Sequence, residues 1–160
     1  MRIISLQFKN LNSLIGEWKI DFNAPEFRDD GIFAITGATG SGKTTLLDAI
    51  CVALYGCTPR LTVSKTQNEL MSRKTGECYS EITFEINEKE YRSHWSQKRA
   101  HNKPDGNLQN VKHYLYDHTT GVVLSEKSNQ TSDYIEKLTG MNFVQFTRTV
   151  LLAQGNFAAF

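Results

Sequence analysis

What this sequence lacks narrows its reading first. No apolar stretch is long enough to cross a bilayer: the longest runs only from Ala49 to Tyr55, where a spanning helix needs about 20 residues. Residues 1–20 hold no apolar core of the secretory-leader kind, so a cytoplasmic chain is expected. Cysteine is scarce, with three residues, Cys51, Cys57 and Cys78, an odd number without metal-ligand spacing. That argues for packed, reduced thiols rather than a disulfide framework or a zinc site. An excess of one charge is missing as well, since 18 Lys and Arg face 17 Asp and Glu for a net +1. A globally basic surface is excluded, whereas a local stripe that grips nucleic acid is not. Apolar residues make up 39% of the 160, below the usual share of about 45–50%. This suits a single domain with generous exposed surface, compatible with a piece of a larger protein.

What is present is alternation, then one helix, then more alternation. Residues 2–8 read as a strand with Ile4, Leu6 and Phe8 on one face, and residues 17–22 as a second with Trp18, Ile20 and Phe22 inward. Ile32-Phe33-Ala34-Ile35 is a continuous apolar run that suits a strand buried on both faces. Residues 44–55 read as a helix whose buried stripe is Leu46, Leu47, Ile50, Ala53 and Leu54, closed by Gly56. Residues 57–76 are polar and irregular, with a helical turn expected over 68–72. Two hairpins follow, one at 81–86 and 91–96 with its turn at 87–90, the other at 112–117 and 122–125, forming an antiparallel meander over about 78–125. Thr131-Ser132-Asp133 supplies an N-cap for a helix that ends before Gly140, and a last helical piece starts at Phe143. His94, His101, His113 and His118 all fall in the meander and read as surface residues.

Between the apolar run and the first helix lies Gly37-Ala38-Thr39-Gly40-Ser41-Gly42-Lys43-Thr44, the Walker A pattern. A triphosphate is a dense anion, and a loop that turns tightly on its glycines can aim successive backbone amides at it, aided by the helix dipole. Lys43 is placed to reach the β- and γ-oxygens and the Thr44 hydroxyl to ligate Mg²⁺, so ATP with magnesium is the expected cofactor pair. At background residue frequencies the pattern arises by chance in roughly one chain of this length in two hundred. The pattern by itself does not separate ATPase, GTPase and kinase.

Three blocks also carry a resemblance: residues 9–14 (Lys-Asn-Leu-Asn-Ser-Leu), residues 33–50 around the loop, and residues 146–160, which include Leu151-Leu152-Ala153-Gln154-Gly155-Asn156. Together with Trp95-Ser96-Gln97 and residues 104–109 (Pro-Asp-Gly-Asn-Leu-Gln), they closely resemble the SbcC family of SMC-like ATPases. The resemblance implies an α/β fold: a P-loop NTPase of ABC/SMC-head type, represented by its N-terminal lobe with a mixed sheet, a Walker A helix and the meander. It implies that Gln154, in a Q-loop at about 152–156, contacts Mg²⁺ and the attacking water, which makes Lys43 and Gln154 the catalytic candidates and Thr44 and Gln154 the metal ligands. Around the nucleotide it places Asn12, residues 37–44, Thr45 and the loop Met71-Ser72-Arg73, the last bordering base and sugar. Asp48 reads either as part of this constellation or as an exposed helix residue.

No Walker B strand ending in Asp-Glu, Ser-Gly-Gly signature or switch histidine occurs in the sequence. In the family these belong to a C-terminal lobe beyond a long coiled coil and to a second head, and the cutting chemistry belongs to an SbcD-type metallonuclease acting on double-stranded DNA ends. A nucleoid-associated ATPase lobe that turns over little nucleotide alone is therefore the expectation. An SMC-like DNA-entrapment head without a nuclease is the main alternative, and a free-standing P-loop kinase or GTPase the next. Residues 98–103 cluster Lys98, Arg99 and Lys103 beside Trp95. They read either as a sequence-independent grip on DNA phosphates or as a solvated hairpin loop.

Overall fold

Strict alternation along the first residues forces Ile4, Leu6 and Phe8 onto one face of a strand, and that strand seeds the sheet. The computed structural model of the chain describes residues 1–27 and 34–149. Its strands are β1 (Arg2–Leu11), β2 (Leu14–Asp21), β3 (Glu77–Ile86), β4 (Lys89–Lys98), β5 (Lys112–Asp117) and β6 (Val123–Ser125). They form one six-stranded sheet in the order β2-β1-β3-β4-β5-β6, with every pairing antiparallel. Helix α1 (Lys43–Tyr55) lies across β1, β3 and β4, and α2 (Ser128–Thr139) and α3 (Phe143–Thr149) pack against α1.

The expected stripe on α1 becomes burial all round. Ala49, Cys51, Val52, Ala53 and Leu54 are fully buried, because the sheet covers one side while Phe143 and Phe146 pack their rings on Tyr55 at the other. A helix apolar on every side belongs between layers. Gly56 takes the left-handed conformation (φ 69°) and closes the helix on the Val52 carbonyl, as its position predicts. Cys51 and Cys78 are buried and Cys57 is half-buried, all three as free thiols. Burial pushes the Cys57 thiol up to about 11 and that of Cys78 to about 12.

Several local expectations give way to tertiary context. The β3–β4 connection is a two-residue turn, Asn87-Glu88, both with positive φ (51° and 64°), as tight hairpins require. Trp18 pairs opposite the buried Phe8 yet stays half exposed, because β2 is the edge strand and α1 does not extend over it. Residues 68–72 make no helical turn. Instead the Asn68 carboxamide oxygen accepts the amides of Leu70 and Met71, while its nitrogen donates to Gln97 Oε1 at 2.7 Å. Thr131 caps no helix: α2 begins at Ser128, and the Thr131 side chain is buried, its hydroxyl donating to the His113 carbonyl at 3.0 Å.

Of the apolar run at 32–35, the first two residues lie outside the described set. Ala34 and Ile35 are not in a strand, and Ala34 is exposed. A strand buried on both faces needs hydrogen-bonded neighbours, and no described strand pairs with these residues. Gln154 and residues 152–156 also lie outside the described residues. No described helix is long and apolar enough to cross a membrane.

Candidate functional site

A helix exposes the amides of its first turn, and these need partners. In α1 the first main-chain bond runs from the Leu46 amide to the Gly42 carbonyl (3.2 Å), and no side chain among the described residues caps the end. The amides of Lys43, Thr44 and Thr45 precede that bond. Gly42 at the cap position has φ 92°, and a Cβ there would come within 3.0 Å of Leu14 on β2. The positive φ is what favours glycine at this point, and a Cβ would in addition press on the Leu14 methyl groups. The Ser41 amide closes the loop on the Ala38 carbonyl at 3.1 Å.

Around this end lies a cavity of about 680 Å³ whose wall includes Asn12, Gly37, Thr39, Gly40, Lys43 and Thr44. The Lys43 ammonium donates to the carbonyls of Gly37 (2.5 Å) and Ala38 (2.8 Å). An ammonium carries three donors, so the lysine is anchored to the loop with a proton to spare. The loop has the parts an anion site needs: uncapped amides, a tethered cation and a hollow of nucleotide-tail size.

The other predicted residues fall into two groups. Asn12, at the turn between β1 and β2, lines the same cavity, and its side-chain nitrogen lies 3.3 Å from the Thr45 hydroxyl and 3.4 Å from Asp48 Oδ2. Thr45 is buried with its hydroxyl turned to Asn12, so what it can offer a ligand is its amide. Met71, Ser72 and Arg73 line a second, adjoining cavity of about 550 Å³. The main chain ties this loop to the first site: the Asn12 amide donates to the Leu70 carbonyl (2.7 Å) and the Ser72 amide to the Asn10 carbonyl (2.9 Å). Arg60 and Leu61 stand in the wall of both cavities.

Two site-related expectations are corrected. Asp48 is not an exposed helix residue: it is 1% exposed. Its carboxylate oxygen Oδ2 accepts from the Arg60 guanidinium at 2.9 Å. Desolvation raises its pKa, and the charge and hydrogen bond of Arg60, then Asn12, act against the rise. Sequence reading missed Arg60 altogether, since nothing local signals that a residue beyond the helix folds back on it. His113 is likewise not on the surface. It is fully buried beneath α1, and burial lowers its pKa to about 4.

The basic loop also differs from its sequence picture. Trp95 is fully buried in the core and offers no exposed ring. Lys98 pairs with Glu77 at 3.3 Å, and the Arg99 guanidinium donates to the Gly106 carbonyl at 3.0 Å. Glu77, held below the usual carboxylate range mainly by its hydrogen bond from Lys9, bonds that lysine at 2.9 Å.

Among the described residues no group of three or more His, Cys, Asp or Glu could hold a metal. A magnesium ion at the cleft would rest on the Thr44 hydroxyl and on the ligand's own phosphates. That sparse protein donor set is usual for Mg²⁺ at nucleotide sites.

A model of the AAA domain matches residues 5–160. The chain belongs to this family. Over its full length it is 41% identical to the SbcC component of the SbcCD nuclease of Pseudomonas aeruginosa and 36% identical to that of Rhodobacter capsulatus, covering 15% and 14% of those proteins. It is 30% identical to the probable DNA double-strand break repair Rad50 ATPase of Aquifex aeolicus, again covering 15%. The chain therefore spans only a small part of these relatives, and the resemblance to SbcC read from its blocks is borne out over that part. Among solved structures the SMC head domain from Thermotoga maritima aligns with 84% of this chain and 42% of its own, at 20% identity and a TM-score of 0.48.

Proposed function

We propose that this chain is the ATP-binding half of an SMC-like ATPase head. The observation that carries the reading is the uncapped first turn of α1 beside Lys43, opening on a hollow of about 680 Å³. In this reading the amides of residues 37–44 cradle the β-phosphate, those of Ala38 and Thr39 among them, while the Ser41 amide holds the loop closed on the Ala38 carbonyl. Lys43 neutralises the β- and γ-oxygens, and the Thr44 hydroxyl holds magnesium, which when bound disperses the charge of the phosphate tail. Thr45 contributes its amide, and Asn12 borders the phosphates. Met71, Ser72 and Arg73 border base and sugar from the adjoining hollow, and Gln154 orients the attacking water.

Catalysis then needs groups this sequence does not hold. A C-terminal lobe would supply Walker B, and a second head the signature, so that nucleotide binding clamps two heads together and hydrolysis releases them. The names of the relatives, one part of a nuclease and another a DNA break-repair ATPase, support an SbcD-type nuclease and double-stranded DNA ends as partners, in the cytoplasm. Calorimetric titration with ATP and Mg²⁺ tests the core of this. Binding weakened about 30-fold by Lys43→Ala, with no appreciable turnover by the chain alone, is expected from the loss of one charge-assisted contact. Equal affinity in the variant and the parent would sink it.

A further inference from the structure

The hollow beside Met71, Ser72 and Arg73 has a wall that phosphate binding does not account for. Leu70, Met71 and Ser72 are buried, yet they belong to no helix and to no strand of the sheet. At one side the Leu70 carbonyl takes the Asn12 amide, and the Ser72 amide meets the Asn10 carbonyl. Between these bonds a single side chain holds the chain in shape. Asn68 Oδ1 accepts the amides of Leu70 at 2.9 Å and Met71 at 2.7 Å. Its Nδ2 donates to Gln97 Oε1 at 2.7 Å and lies 3.6 Å from the Cys78 sulfur. A carboxamide has two lone pairs and two N–H donors. All four are engaged, so Asn68 stands in the wall of the hollow with no polar group left for a ligand.

Gln97 completes the pair from behind. It lies on β4, is 1% exposed and has no place in the wall. Its Nε2 donates to the carbonyls of Ser64 at 2.9 Å and Gln109 at 3.0 Å. One buried, fully bonded carboxamide thus ties residues 64–72 to the sheet and to the chain beyond it. Gln97 also closes the Trp95-Ser96-Gln97 block noted in the sequence, to which the phosphate loop gives no task. A buried polar network whose members are satisfied rigidifies what it touches. The Ser72 hydroxyl, in the wall of the hollow, is buried without a partner among the described residues. A buried donor left so is costly unless a ligand meets it.

We infer that Asn68 and Gln97 are the positioning pair of a nucleoside wall: they hold Leu70 to Ser72 in the shape that meets base and sugar, and take no part in gripping phosphate. The inference rests on the nucleotide reading above and deepens it, since it assigns the nucleoside and the phosphate tail to separately supported parts of the chain. A wall built beforehand spares the complex the entropy of ordering it. Losing the pair should therefore weaken a ligand that touches the wall and spare one that does not.

The test is titration with ATP and with inorganic tripolyphosphate, both with Mg²⁺, because tripolyphosphate carries the phosphates without base or sugar. Gln97→Ala removes no group that lines the hollow. It is expected to weaken ATP about tenfold and to leave tripolyphosphate at the parent affinity, a split that general loosening of the fold would not produce. Asn68→Ala should do the same, and the double variant should lose no more than Asn68→Ala, because Gln97 acts through Asn68. Lys43→Ala should weaken both ligands. Retained tripolyphosphate binding also reports an intact phosphate loop in each variant. Should Gln97→Ala fail to fold, Asn68→Ala, whose side chain is only half-buried, decides with the same two ligands. Unchanged ATP affinity in the folded variants overturns the positioning role, and an equal loss of both ligands overturns its confinement to the nucleoside. Unchanged affinity of Lys43→Ala for both ligands strikes the nucleotide reading itself.

Discussion

At its N-terminus helix α1 is nearly bare: Gly42 caps it without a side chain, Lys43 and Thr44 are half exposed, and the first amides face a hollow. At its C-terminus the same helix is enclosed. Ala49 to Leu54 are at most 2% exposed, and Gly56 closes the last turn. Even the helix carbonyls are reached from below, Ala49 by the Ser80 hydroxyl and Ala53 by Ser93 and His113. One end leaves its polar groups unmatched and the other matches nearly all of them. Unmatched donors are where a ligand finds binding energy, and matched ones under apolar cover are where the fold finds stability. Substitutions at the two ends should therefore separate affinity from stability.

The largest expected effect lies at the enclosed end. Leu54 is fully buried, and Leu54→Ala removes its methyl groups and leaves a void, which costs about 2–5 kcal/mol of stability in urea unfolding. The ATP affinity of the folded fraction should not change. A variant that stays as stable as the parent yet binds ATP poorly would break the division between the two ends.

Next comes a pH dependence. His113 is neutral in the fold, with a pKa lowered to about 4 by burial from an ordinary 6.5. Its Nδ1 is buried without a partner among the described residues, and Nε2 donates to the Ala53 carbonyl at 2.9 Å. Between pH 6.5 and 4 the unfolded chain takes up a proton that the folded chain refuses, so this contribution is complete above 6.5 and falls as the pH drops through that window. The full loss is about 3 kcal/mol at 1.36 kcal/mol per pH unit. Comparing unfolding free energies at pH 7 and pH 4.5, His113→Asn should flatten the slope. An identical slope in the variant would remove the histidine from the account.

How much of this could be read beforehand follows the same division. The loop, its helix and the Gly56 cap were legible because each depends on residues within a turn or two of one another. The β strands were legible for the same reason, through period-2 alternation. His113 was misread although the signal was present: it stands two residues before Leu115 on β5 and so shares the core face. Asp48 and Arg60 were not legible as a pair, since only the path of the chain after Gly56 brings the guanidinium back over α1. The exposure of Trp18 depends on β2 taking the sheet edge, which alternation within the strand does not encode.

At the open end the expected effect is on binding. Lys43→Ala should cost about 2 kcal/mol of ATP affinity, the worth of one charge-assisted contact, while the unfolding midpoint stays put because the ammonium's hydrogen bonds among the described residues go to exposed loop carbonyls. A large drop in stability with affinity retained would make the lysine a structural strut and invert the comparison.

The smallest effect returns to the enclosed end, at a shared acceptor. Ser93 is fully buried and its hydroxyl donates to the Ala53 carbonyl at 2.6 Å. Ser93→Ala does not orphan that carbonyl, because His113 Nε2 still reaches it. The cost should therefore be the net value of one hydrogen bond, about 1 kcal/mol, and not the larger penalty of a buried group left alone. Nucleotide affinity should stay at the parent value, since Ala53 lies nearly three turns from Lys43 along α1. A measured loss well above about 2 kcal/mol would mean that Ser93 and His113 hold the carbonyl only as a unit, and the matched end of the helix would then depend on one small network more than on its apolar cover.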